Sequence, residues 1–191
     1  MRCPRVAGKI FWSWTLIDSF KKAGDGFDTE LQIMLSIETF IDIQAPPELL
    51  MAIYLDYERW PQLFPATIKG VRLVGIELQQ LVVEVDHLYE GKVLNILTLS
   101  DNSQITLEEF KPRYNAIFIN RFHECCENRT RYQIKAIIKL KGLYTLASLF
   151  IRRLVLKRIG EYVLLPMKNY AEGRLHHETY PNKKAGSFSG A

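Results

Sequence analysis

Ile43-Gln-Ala-Pro-Pro-Glu48 and, one helical segment later, Tyr54-Leu-Asp-Tyr-Glu-Arg-Trp-Pro61 are the two stretches that decide the fold. Proline is tolerated in the first turn of a helix, where its missing N–H would have no partner anyway. The acidic Glu48 suits the positive end of the helix dipole. The first stretch therefore opens a short helix, and Trp60-Pro61 ends it. Residues 63–65, Leu-Phe-Pro, follow as a second short helical turn.

Strands are predicted on both sides of these helices. Residues 34–43 alternate in polarity, which places Leu35, Ile37, Ile41 and Ile43 on one face of a strand. Six further strands are predicted at 67–76, 80–89, 92–100, 103–110, 114–123 and 129–141. The breaks between them are short and turn-like, whereas a parallel crossover needs a dozen residues or more. These strands are therefore antiparallel neighbours.

A long helical stretch, interrupted by Gly160 and Pro166, is predicted over residues 143–172. The stripe predicted to face the sheet consists of Ala147, Ile151, Leu154, Val155, Ile159, Tyr162 and Leu165. Arg158 projects into the same stripe, so it must reach solvent, pair with a carboxylate or meet the anionic head of a ligand. Pro166 lacks an N–H and should kink the helix near Tyr162.

This order of elements predicts an α+β fold, in which a curved seven-stranded antiparallel sheet wraps on the long C-terminal helix. A cleft between sheet and helix is the expected ligand cavity. We place an N-terminal extension at residues 1–33, the folded domain at 34–172 and a flexible polar tail at 173–191.

Composition narrows the classes of function. The 191 residues carry 25 basic and 21 acidic side chains, a scattered net charge of +4 that argues against a nucleic-acid binder. The three cysteines form no CxxC or Cys/His ladder, so we expect reduced thiols, a cytoplasmic location and no metal. No dinucleotide, phosphate-loop, serine-hydrolase or zinc-protease motif occurs, so no cofactor is predicted.

The two opening stretches, together with Phe64-Pro-Ala-Thr-Ile-Lys-Gly-Val71, resemble the opening of the START-like (SRPBCC) superfamily. That superfamily includes polyketide cyclase/dehydrase-like proteins and the birch-pollen-allergen fold, and the resemblance covers about residues 34–172. It implies a helix-grip fold that holds a hydrophobic or amphipathic small molecule, such as a lipid, polyketide, quinone or sterol. It implies no catalytic residue, because the group shares no catalytic signature.

Seven residues are predicted to line the ligand cavity. They are Tyr54, Trp60 and Phe64 on the side of the short helices, and Ile151, Val155, Arg158 and Tyr162 on the long helix. Trp60 and Phe64 have two interpretations that do not exclude each other. They gate the cavity mouth, or they fasten the short helices to the sheet.

Two alternative functions remain open. An enzyme of the cyclase/dehydrase kind would use a strand histidine, His87 or His123, beside a carboxylate as an acid/base pair. A lipid or quinone chaperone would contact membranes through an amphipathic segment at 9–20 and the apolar remainder of the long helix. A homodimer would also cover that apolar surface.

Overall fold

The computed structural model describes residues 33–77, 80–101, 103–111, 114–140 and 148–179. The extension, apart from residue 33, and the end of the tail lie outside these residues. The strands are β1 (Ile33–Ile43), β2 (Ile68–Glu77), β3 (Gln80–His87), β4 (Gly91–Asp101), β5 (Gln104–Phe110), β6 (Tyr114–Cys126) and β7 (Arg129–Leu140). The helices are α1 (Pro47–Leu55), a 3₁₀ turn (Tyr57–Arg59), α2 (Trp60–Leu63), α3 (Ser148–Ile159), a π-helical segment (Gly160–Leu164) and α4 (Leu165–Thr179).

The seven strands form one antiparallel sheet in the order β1-β7-β6-β5-β4-β3-β2. The sheet is curved and the C-terminal helix packs on it, so the predicted helix-grip architecture is confirmed. Pro47 stands in the first turn of α1, and Pro61 in the first turn of α2, where neither costs a hydrogen bond.

One face of the sheet, here called the inner face, holds the core. Residues directly opposite in an antiparallel pair point to the same side, so the register identifies the face. One row across it consists of Ile37, Ala136, Phe118, Leu107, Leu97 and Leu81. The predicted phase of β1 is confirmed, because Ile37 and Ile43 are buried and both Leu35 and Ile41 pack against the core.

The stripe predicted for the long helix is wrong in part. Leu154 and Leu165 are exposed, and the buried positions are Ile159, Leu164, Met167 and Ala171. For Leu165 the cause is the π-helical segment, whose wider turn inserts residues into the repeat and rotates the face that follows it, whereas Leu154 precedes that segment. Pro166 contributes to this, since it has no N–H to offer the carbonyl of Tyr162.

The helix continues to Thr179, so the polar tail expected from residue 173 begins as helix. No helix in the described part of the chain is long and apolar enough to cross a bilayer. Cys125 is a free, exposed thiol. Cys126 is disulfide-bonded, so the expectation of reduced thiols was wrong for this residue.

Candidate functional site

Five polar side chains meet at one end of the sheet, where the β3–β4 and β5–β6 connections lie side by side. We call them the polar cluster: His87, Glu90, Glu109, Lys111 and Tyr114. His87 shares the inner face with Val83 and Val85 through strand alternation. Glu109 lies on the same face, because it opposes the buried Ala116 of β6.

Lys111 is the centre of this cluster. Its ammonium Nζ lies 3.0 Å from a carboxylate oxygen of Glu109, pairs with Glu90 and donates to the Tyr114 hydroxyl at 2.8 Å. Its backbone N–H also donates to the Tyr114 carbonyl at 3.0 Å. Burial alone would lower the pKa of Lys111, but the neighbouring charges, Glu109 foremost, outweigh it and raise the pKa. The ammonium is therefore held charged while only 10% of the side chain is exposed.

His87 stands beside this ion-paired centre with one nitrogen unused. Its Nε2 is buried and has no hydrogen-bond partner among the described residues. Burial lowers the pKa of His87, and the charge of Lys111 adds to that effect, against the opposing charges of Glu109, Glu90 and Asp86. A neutral imidazole therefore faces inward next to a carboxylate.

Asn95 is a second unsatisfied polar group on the inner face. It is 1% exposed, directly opposes Glu109 in the β4–β5 register, and leaves its Oδ1 without a donor among the described residues. Leaving such an acceptor unpaired costs about 1–3 kcal/mol. Sequence reasoning missed this residue, although its signal was available. Asn95 interrupts the inward positions of β4 between Val93 and Leu97.

A separate buried network lies further along β6, about 13 Å beyond the level of Glu109 at the usual rise per strand residue. Asn120 donates to the hydroxyl of Tyr54 at 3.2 Å and accepts a hydrogen bond from the hydroxyl of Tyr132 at 2.8 Å. Burial raises the pKa of both tyrosines. Tyr54, predicted to line the cavity, is thus anchored in the core as a neutral phenol.

Trp60 and Phe64 are also core residues. Trp60 is 3% exposed, and its indole Nε1 donates to the Tyr54 carbonyl at 2.8 Å. Its ring lies 6.4 Å from that of Phe64 in an edge-to-face arrangement. These contacts support the fastening interpretation, and a role in ligand entry stays a prediction.

The four helix residues predicted to line the cavity lie in different surroundings. Ile151 and Val155 are half-buried and pack against the core, and Tyr162 is half-buried. Arg158 is exposed, so of the outcomes predicted for it the side chain reaches solvent, and its role as a ligand contact stays a prediction. Its charge nevertheless acts on the polar cluster. Burial by itself raises the pKa of Glu90, but Lys111, with a further contribution from Arg158, lowers it overall.

The two histidines proposed for acid/base chemistry are separated by the sheet. His123 opposes Arg131 and alternates with the buried Phe122, so it lies exposed on the outer face. Only His87 is placed on the inner face beside a carboxylate. Among the described residues no group of three or more histidine, cysteine or carboxylate side chains is arranged so that it could hold a metal ion.

Comparison with known proteins identifies the fold. No protein-family model matches the sequence. No curated protein matches it either. Solved structures do match, among them the Zhui aromatase/cyclase of Streptomyces sp. R1128, with a TM-score of 0.63, 15% identity and coverage of 76% of this chain and 98% of that one.

A START superfamily protein of Mycobacterium smegmatis matches with a TM-score of 0.59 and 16% identity, covering 73% of this chain and 98% of that one. A norcoclaurine synthase of Thalictrum flavum, in complex with a transition-state analogue, matches with a TM-score of 0.59 and 9% identity. The match covers 76% of this chain and 98% of that one. At these identities the likeness concerns the fold. The chain has the START-like helix-grip fold.

Proposed function

We propose that this protein binds an apolar or amphipathic small molecule between the inner face of the sheet and the C-terminal helix, with the molecule's polar end at the polar cluster. One observation carries the proposal. Two buried polar atoms on the inner face, His87 Nε2 and Asn95 Oδ1, have no hydrogen-bond partner among the described residues. Buried polar groups are normally satisfied, so two unsatisfied groups on one face call for an explanation, and we propose that a bound molecule supplies their partners.

The apolar part of the inner face would supply most of the affinity. Its half-buried side chains, which keep surface for a ligand, include Leu81, Leu107 and Phe118. Burial of apolar surface contributes about 25 cal/mol per Å², so about 300 Å² of ligand surface amounts to about 7 kcal/mol before the cost of association. The polar cluster would then fix the ligand's orientation rather than its affinity.

The test begins with native mass spectrometry of the purified protein and solvent extraction of any bound molecule. Leu107→Trp fills the inner face at a half-buried position, and Thr106→Trp, the neighbouring residue on the outer face, is its matched control. We expect a co-purifying apolar compound that is lost from Leu107→Trp and kept by Thr106→Trp. Equal retention by both variants would place the molecule elsewhere and overturn the proposal.

A second candidate function, cyclase/dehydrase-type chemistry, is favoured by the position of His87. A neutral imidazole with a buried Nε2 beside Glu109 is suited to taking a proton from a bound molecule and returning it elsewhere. The named enzymes among the similar structures support this candidate. Its test compares compounds extracted from wild type and His87→Gln produced in the same host. If His87 catalyses a dehydration, the two extracted compounds should differ by the mass of one water molecule. The same compound from both proteins would remove the catalytic role of His87.

The predicted membrane contact has one supporting feature. Phe150 is 72% exposed and Leu154 is also exposed on α3, alongside the exposed cations Arg153 and Lys157. Such a face suits an anionic bilayer surface. Vesicle flotation with Phe150→Ser as the variant tests it, and flotation unaffected by this change would exclude the face. The predicted segment at 9–20 lies outside the described residues, and the homodimer and cytoplasmic location stay predictions.

A further inference from the structure

We propose that the bound molecule ends in a neutral hydroxyl group, as a phenol or an alcohol does, and that molecules ending in a carboxylate or phosphate are rejected. This inference rests on the proposed binding function and names the class of ligand. It follows from the charge balance of the polar cluster and from the two buried atoms that lack partners.

The polar cluster holds one cation against two carboxylates, so it has no uncompensated positive charge to offer an anion. Within it, the Lys111 ammonium is shared between the carboxylates of Glu90 and Glu109. The charge of Arg158, on the long helix, contributes to lowering the pKa of Glu90. The charge of Asp86, on β3, opposes the lowering of the pKa of His87. An arriving anion would find both carboxylates close by and no cation of the cluster without a partner, and an arriving ammonium would have to displace Lys111. Burying either charge uncompensated is costly, so a neutral polar end fits best.

The unpaired atoms specify the hydrogen-bonding character of that end. Asn95 Oδ1 is an acceptor and needs a donor. His87 Nε2 donates or accepts, depending on its tautomer. A hydroxyl group donates one hydrogen bond and accepts others, whereas a ketone donates none and a carboxylate only accepts. Hydroxyl is therefore the simplest group that satisfies the acceptor of Asn95 without adding charge.

Matched aromatic probes separate these alternatives. We would titrate the full-length protein with 2-naphthol, 2-naphthoate and naphthalene at neutral pH, following binding by calorimetry. One satisfied hydrogen bond corresponds to about a tenfold gain in affinity, so naphthol should bind about tenfold more tightly than naphthalene. Naphthoate should bind more weakly than both.

The variant Asn95→Leu removes the unpaired acceptor and keeps the same branched arrangement of heavy atoms. It should lower naphthol affinity to the level of naphthalene and leave naphthalene unchanged. Asn115→Leu, which changes a half-buried asparagine on the outer face of β6, is the control and should alter neither. Protein that denatures at the wild-type temperature or higher shows that the Asn95 variant is folded.

Failure of this inference is distinguishable from failure of the proposed function. Naphthoate binding as tightly as naphthol, or naphthol affinity unchanged in Asn95→Leu, would overturn the hydroxyl preference while leaving apolar binding intact. Absence of binding by all three probes, with no co-purifying molecule, would overturn both together.

Discussion

Removing the Lys111 ammonium should destabilise the fold more than the loss of any surface charge. The variant Lys111→Met keeps an unbranched side chain, one atom shorter than that of lysine. It leaves Glu109, whose side chain is 10% exposed, facing Glu90 without a cation between them. Taking one partner from a buried pair costs about 3–5 kcal/mol. Because the Glu90 side chain is 36% exposed, water screens part of this loss, and we expect about 2–4 kcal/mol.

The assay is urea denaturation at neutral pH, followed by far-UV circular dichroism. Lys92→Met is the matched control, since Lys92 pairs with Glu84 at 3.3 Å but is 66% exposed. It should cost about 1 kcal/mol or less. The double variant Lys111→Met/Glu109→Gln should recover most of the loss, because it removes the uncompensated carboxylate as well. Equal losses in the two lysine variants would refute the idea that the polar cluster is an electrostatically coupled, buried unit.

Two further predictions concern single groups. The pKa of His87 lies below 6.5 in the folded state, so as pH falls below 6.5 the unfolded chain takes up a proton that the folded chain resists, and stability decreases. The variant His87→Gln should therefore make the free energy of unfolding less dependent on pH between about pH 6.5 and pH 5. The control His123→Gln, on the outer face, should leave this dependence unchanged. Identical profiles for the two variants would show that His87 is not the source of the pH dependence. The variant Tyr132→Phe leaves Asn120 Oδ1 without its hydrogen-bond donor in the core, so urea titrations should show a loss of about 1–3 kcal/mol in the free energy of unfolding. The control Tyr89→Phe, at a residue that is 87% exposed, should show no measurable change.

The local pattern of the sequence is sufficient to predict the order and the approximate bounds of the strands and helices. Alternation in β1, the proline-opened helix and the short turns are local signals that tertiary packing reinforces, so the strands appear within a few residues of their predicted bounds. The site is different, because its members come together only through register. Glu109 and Asn95 become neighbours through the pairing of β4 with β5, which no single segment encodes.

Phase errors explain the remaining differences. The register of β2 shifts between Ile68 and Gly70 and again between Leu73 and Gly75, so alternation counted along that strand loses track of the inner face. On the long helix, the π-helical segment has the same effect on a 3.6-residue count. Arg158 is exposed, which is one of the three outcomes predicted for a cation in an apolar stripe, because a long cationic side chain readily reaches solvent.

The pairing of β1 with β7 has a consequence for how this chain folds. The first strand finds its hydrogen-bonding partner only after residues 129–140 have been synthesised, and until then Ile37 and Ile43 have no sheet to enter. The hairpin β6–β7, closed by Asn128 at a φ of 54°, needs no such distant partner. Loop closure over this span slows folding, so nucleation in the C-terminal half should precede docking of β1. Until docking occurs, β7 offers an unpaired edge to other chains, and nascent protein is most prone to aggregation in that interval.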